Sequence, residues 1–220
     1  MNYTELKQAV KDTLENEFSN TVLDMLTKQA EQKIYNSVQV ASLRRNQTAT
    51  LSANNKYLSA PGDFLSPFSL AVVTGGSFST GTYSYLLNKD VNFIREAYPT
   101  ANDTGVPKYY AIFGPATEDS RELTFILGPT PDQAYSVELH YYYYPESIVT
   151  ANTTWLGDNF DSALLNGVLI EAIRFIKGEP DQVKFYETLY AQAIVLLKQL
   201  GDGKQRMDAY RDGQVRIEVK

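Results

Sequence analysis

A single histidine, His140, is the one side chain in this sequence whose ordinary titration range lies near neutral pH. By itself it makes neither a metal site nor a catalytic dyad. A Ser–His–Asp arrangement would have to use this same residue, and no Gly-x-Ser-x-Gly segment supports one. There is no cysteine, which removes thiol nucleophiles, disulfides and cysteine-ligated metal. Gly75-Gly76 and the run 178–180 lack the glycine spacing and the lysine of a phosphate loop. Two carboxylate pairs stand close in sequence, Asp158 with Asp161 and Asp119 with Glu122. They read as solvated helix starts and strand surfaces, and glycosidic chemistry would need such groups to converge in the fold. No catalytic residue, metal or cofactor is expected, and the sequence reads as that of a non-enzyme.

His140 has to be positioned by residues 134–145, AYSVELHYYYYP, the strongest strand signal in the chain. Tyr135, Val137, Leu139, Tyr141 and Tyr143 fall on one face; Ser136, Glu138, His140, Tyr142 and Tyr144 fall on the other. The first face is apolar throughout and should cover a core. The second begins polar and turns aromatic, so one end of the strand should be covered on both sides, by helices or by a neighbouring chain. His140 reads as a half-buried strand residue.

The 220 residues suffice for one large domain or two small ones. A net charge of -6 argues against a general nucleic-acid binder, though not against a local basic patch. No apolar run approaches the ~20 residues that span a bilayer, and the opening MNYTELKQAVKDTL reads as a helix rather than a signal peptide. A soluble protein of a reducing compartment, or a particle assembled there, is expected. Sixteen tyrosines and ten phenylalanines suit half-buried positions and interfaces, and equally a tyrosine-rich core.

Periodicity predicts helices over 2–18 and 21–38, the second with the stripe Val22, Leu26, Ala30, Ile34 and Val38 and with Ser19 and Asn20 as caps. Residues 42–46, with Arg44 and Arg45, read as a solvated connector. Strand signals follow at 48–51, 57–58, 70–73 and 83–87. Pro61 and Gly62 make a turn, beside which Phe64, Leu65 and Phe68 are apolar anchors. Asp90 caps a short helix to Tyr98. Residues 109–113, 121–127 and the tyrosine strand read as an antiparallel meander. A third helix is expected from Asp158 to Lys177, with Gly178 in the left-handed position after it. Pro180 then opens a fourth helix to about 200, ended by Gly201 and Gly203. The reading is an α+β protomer. A helical body of 1–47 and 146–203 surrounds an antiparallel β-rich insertion, 48–145, and is followed by an arm, 204–220. The arm carries a weak strand pattern at Val215, Ile217 and Val219, able to add to another molecule.

The N-terminal helix pair, YLSAPGDFL, VPKYYAIFG, LTFILGPTPDQAYSVELHYYYYP and WLGDNFDSALLNGVLIEAIRFIKGEP, in this order, resemble the head-to-tail adaptor, or connector, proteins of short-tailed bacteriophages over about residues 1–200. Gly62, between Pro61 and Asp63, departs from the commoner Pro-Asp-Phe form. The resemblance implies a structural virion protein, assembled in the host cytoplasm, that forms a ring of twelve copies at the neck. The ring would join the portal protein to the tail or nozzle protein and pass DNA without sequence-specific binding or membrane contact. It also implies that 204–220 is a portal-facing arm, with Arg206, Tyr210, Arg211, Val215, Arg216, Ile217 and Val219. Loops 61–88 and 128–133 would then face a neighbour or tail component, with Phe64, Phe68 and Phe78 among the contacts. Tyr142 and Tyr144, at the doubly aromatic strand end, would supply part of the subunit surface. Two other classes fit the same parts: a head-completion stopper or tail terminator, and a non-viral binding domain with an aromatic surface.

Overall fold

In the computed structural model, which describes residues 1–38, 40–100, 102–115 and 122–206, the elements run in chain order as α1 (Tyr3–Leu14), α2 (Asn20–Ser37), a 3-10 turn (Ala41–Leu43), β1 (Arg44–Thr50), β2 (Tyr57–Ser59), β3 (Phe64–Thr74), β4 (Thr82–Tyr85), β5 (Leu87–Asn88), α3 (Val91–Ala97), β6 (Tyr109–Pro115), β7 (Leu123–Gly128), β8 (Ser136–Tyr143), α4 (Ile148–Ala151), α5 (Trp155–Asn159), α6 (Asp161–Phe175) and α7 (Pro180–Arg206). They fall into two units. One holds Met1–Leu43 and the chain from Pro145 onward; the other is Arg44–Tyr144.

The helical unit is built around α6, which packs against α1, α2, α5 and α7. Its sequence is apolar nearly all round, and Leu164, Val168, Leu169, Ala172 and Ile173 are all buried. Gly167 lets its neighbours close in, since a Cβ there would lie 3.3 Å from the Tyr190 ring and 3.4 Å from Ala30 Cβ. Asn2 and Glu5 form a reciprocal capping box at α1, and Ser19 caps α2 through the Val22 N–H. The α1 helix stops at Leu14, short of the expected 18, because Glu15 turns left-handed with φ 47°. On α2 the stripe is buried at Leu26, Ala30 and Ile34 as expected, with Leu23 buried beside it and Val22 only half-buried.

The third predicted helix is two helices. Thr154, not Asp158, caps α5 through the Gly157 N–H, and α6 begins after Phe160 with no side-chain cap. The left-handed residue after α6 is Lys177, φ 56°, rather than Gly178. The Gly178 N–H bonds Ile173 O, and a Cβ there would meet Ile173 Cγ2 at 2.7 Å, so this glycine serves close approach. Pro180 opens α7 as expected, but the helix runs through Gly201 and Gly203 to Arg206. Two glycines cost about 1 kcal/mol each, and an existing helix extends far more cheaply than a new one starts.

The second unit is two four-stranded sheets, in the orders β1-β8-β3-β4 and β2-β7-β6-β5. A single cluster joins Leu70, Val72, Val137, Leu139 and Tyr141 of one sheet to Tyr110, Phe125 and Leu127 of the other, so the two sheets share one core. Tyr135, Val137, Leu139 and Tyr141 are buried, as alternation predicts. The predicted meander is only half present: β6 pairs with β7, but β8 joins the other sheet between β1 and β3. Alternation fixes which face of a strand is apolar and leaves its partner open. The prolines at 129 and 131, lacking N–H groups, stand where the chain leaves β7.

Residues 44–46, expected in a connector, begin β1. The region 61–88 is not one loop, for it holds β3, β4 and β5, with Pro67 accommodated at an irregularity of the β3–β8 register. Asp90 caps α3 through the Asn92 N–H at 2.7 Å, and Ile94 packs on Ala111 and Ile126.

Candidate interaction surfaces

The groups first considered for chemistry stay apart. His140 is half-buried in β8, in register with Asn46 and Ser69. Asp158 and Asp161 are exposed near the starts of α5 and α6, Glu122 is exposed before β7, and Asp119 lies outside the described residues. Among the described residues no group of three His, Asp or Glu side chains is placed to hold a metal ion, and no helix is long and apolar enough to cross a membrane.

What the tyrosine strand does assemble is an arginine–aromatic cluster. Three successive residues, Tyr141, Tyr142 and Tyr143, run beside Arg44 and Arg45 of β1 and the start of β3. Inside, the Tyr141 hydroxyl donates to Asp63 Oδ1 at 2.8 Å, and Arg45 Nη1 reaches Asp63 Oδ2 at 2.6 Å. Burial first, and the Asp63 acceptor second, push the Tyr141 phenol up to about 12. The Tyr144 N–H bonds Asp63 O at 2.9 Å, and the Phe64 N–H bonds Pro61 O at 3.0 Å. The Pro-Gly-Asp-Phe turn therefore fastens the start of β3 to the end of β8. Outside, the Arg44 guanidinium lies 3.9 Å from the Phe68 ring centre and 5.1 Å from that of Tyr142, and donates to the Tyr142 hydroxyl at 2.9 Å. Arg45 lies 3.9 Å from the Tyr143 ring centre.

Asp63→Ala removes the partner of Arg45 and the nearer acceptor of Tyr141, whose hydroxyl also has Gln47 Oε1 at 3.4 Å. It is expected to lower the unfolding free energy by about 1–3 kcal/mol, and Asp63→Asn by less, since the amide oxygen still accepts from Tyr141. Urea unfolding of the three proteins checks the order.

The five rings expected at an interface divide. Phe64 is 9% exposed and lies in the core, edge-on to Phe125 at 5.3 Å; its ring is used up inside the protomer. Tyr142 is 6% exposed, between Arg44 and Phe68. Phe68 and Phe78, each 38% exposed, and Tyr144, 37% exposed, keep part of their surface in solvent, Phe68 with Arg44 over its ring. Of the expected arm, Arg206 closes α7, while Tyr210, Arg211, Val215, Arg216, Ile217 and Val219 lie outside the described residues.

Sequence reading missed a second aromatic surface, on the side of the β2-β7-β6-β5 sheet that carries α3. Tyr57, Phe93 and Phe113 are exposed there; Tyr57 lies 5.6 Å from Phe113, and Phe93 lies 5.3 Å from Tyr109. Lys56, Lys89 and Arg95 sit at 5.7, 5.3 and 5.2 Å over Tyr57, Phe93 and Phe113. One local signal was available: Lys89 and Phe93 stand four residues apart across a helix start. On α7, Phe185 and Leu196 are exposed together with Val195.

The arginine–aromatic cluster and the second aromatic surface are the candidate surfaces for association among the described residues. No protein of curated function matches it in sequence. A match to the family described as SU10 adaptor protein extends over residues 1–217, through both units, and the chain belongs to that family.

Proposed function

We propose that copies of this phage adaptor close into a ring at the neck of the virion, joining the portal of the head to the tail or nozzle and continuing the channel through which DNA passes. The observation that carries this reading is the family match over residues 1–217. Twelve copies is the number that the resemblance implies. The role is mechanical, and affinity comes from side-chain patches repeated around the ring. A closed ring needs two different surfaces on each subunit that fit one another after a rotation. The part-exposed rings Phe68, Phe78 and Tyr144, and the cation-studded band of Tyr57, Phe93 and Phe113, are distinct surfaces of the kind required. A net charge of -6 also suits a wall past which phosphate must slide without sticking.

Electron cryo-microscopy of purified particles, reconstructed at the neck with symmetry relaxed, tests the proposal. The expected result is density for this chain as a closed ring between portal and tail. A neck whose rings are all accounted for by other proteins, with this chain absent from the particle, would sink it. Placement of the chain farther down, as a stopper or a tail terminator, would keep the virion role and overturn the portal contact.

A further inference from the structure

Among the described residues the two-sheet unit is open along one side. Its edge strands there are β1 and β2, and among the described residues β1 pairs only with β8 and β2 only with β7. Cross-strand register puts Arg45, Gln47 and Ala49 of β1 on the inner face, opposite Tyr141, Leu139 and Val137. All three β1 residues are exposed. Long aliphatic side chains at 47 and 49 would close the sandwich; a small alanine and a polar glutamine leave it open. Between the sheets lies a cleft of about 290 Å³, lined by Gln47, Ala49, Leu58, Ala60, Val137 and Leu139 among others.

An unpaired strand edge bordering a cleft with Leu58, Ala60, Val137 and Leu139 in its lining, beside the polar Gln47, Ser59 and Glu122, fits an extended peptide. Backbone groups complete the ladder, and every second side chain enters the cleft. Two segments of this chain, 116–121 and 214–220, are compared as occupants. Residues 116–121, ATEDSR, offer nothing aliphatic larger than alanine. Residues 214–220, QVRIEVK, alternate Val215, Ile217 and Val219 with Arg216, Glu218 and Lys220, which suits apolar-in and charged-out. That segment is seven residues long, and so is β1. The fourteen residues after Arg206 span at most about 50 Å when extended, enough to reach a neighbouring molecule.

We propose that residues 214–220 of one copy add as a strand to the free edge of β1 in the next copy, with Val215, Ile217 and Val219 in the cleft. Donor segment and acceptor cleft are different surfaces, so the contact runs head to tail around a ring. The proposal rests on the ring reading for its neighbour, and it competes with the portal for the same segment.

The chain lacks cysteine, so disulfide trapping is free of background. Ala49→Cys is combined in turn with cysteine at 215, 217 or 219 in the full chain, concentrated and mildly oxidised. Thr48→Cys, on the opposite face of β1, is the control. At least one Ala49→Cys pair is expected to give covalently linked oligomers in several-fold higher yield than its control. Ala49→Arg, which fills the cleft from an exposed position, should abolish self-association and leave the circular dichroism unchanged. Equal yields from both faces overturn the proposal, as does linkage within single chains only. A closed ring in particles with 214–220 traced into the portal overturns it too, while leaving the ring reading intact.

Discussion

Phe125→Ala is expected to lower the unfolding free energy of the two-sheet unit by about 3–5 kcal/mol, the range for emptying a buried aromatic site. The ring is fully buried at the centre of β7. It meets Phe64 edge-on at 5.3 Å and Tyr110 at 5.8 Å and 78°. Its backbone is held on both sides, in register with Leu58 of β2 and Ile112 of β6, so the strand cannot easily collapse into the void. Domains usually retain only about 5–15 kcal/mol in total, so a loss of this size is visible in any denaturant series. Phe185→Ala is the contrast: the same atoms leave an exposed place on α7, and the change should stay within about 0.5 kcal/mol. Trp155, the sole tryptophan, belongs to the helical unit. Unfolding should therefore be followed by circular dichroism as well as by its fluorescence. A Phe125→Ala loss below 1 kcal/mol would contradict a core shared by two sheets.

The second large effect is at Glu31, which is 3% exposed. Its carboxylate accepts from the Ile148 N–H at 2.9 Å and from the Ser147 hydroxyl at 2.5 Å, binding the start of α4 to α2. Burial raises its pKa above the ordinary 4.5, against the opposing pull of those two hydrogen bonds and of Lys28. Glu31→Ala leaves a buried N–H without an acceptor and is expected to cost about 1–3 kcal/mol. Glu31→Gln keeps an acceptor for Ile148 and removes the charge. Because the folded pKa is raised, the folded state binds the proton more tightly than the unfolded chain. The burial penalty is thus full above the folded pKa and fades as pH falls through it toward 4.5. The stability of the glutamine protein relative to the parent should be highest at neutral pH and decline on acidification. Urea midpoints from pH 7 to pH 4 measure it, and the opposite trend would mean that the hydrogen bonds outweigh burial.

Local chemistry was legible in the sequence. Ser19, Asp90 and Pro180 start the helices they were expected to start, and the apolar face of β8 is the buried one. These features depend on residues within a few positions of one another. Pairing was not legible. The alternation of β8 is the same whether its neighbour is β7 or β1, and only the packing of two sheets over Phe125 decides between them. The split between α5 and α6 was hidden for a similar reason: Asp158 is a good cap by type, but Thr154 reaches an N–H first. At the candidate surfaces, ring content could be counted and ring exposure could not. Phe64 and Phe68 stand four residues apart, yet one fills the core and the other lies under Arg44. Tyr57 and Phe113 make one patch only because β2 and β6 flank β7.

The central place of β8 has a consequence for how the protein is made. The last strand of the two sheets to be synthesised is the one that β1 and β3 both need. At roughly 5–20 residues per second, Arg44 waits on the order of 5–20 s for its partner Tyr142 to leave the ribosome. Through that interval Leu70 and Val72 have no β8 to cover them, and α2 likewise waits for α6. Neither unit can finish folding until most of the chain has been translated. A chain terminated before β8 therefore lacks both cores, and one terminated between Tyr144 and α6 has the strands of the two-sheet unit but not the helix around which the helical unit packs.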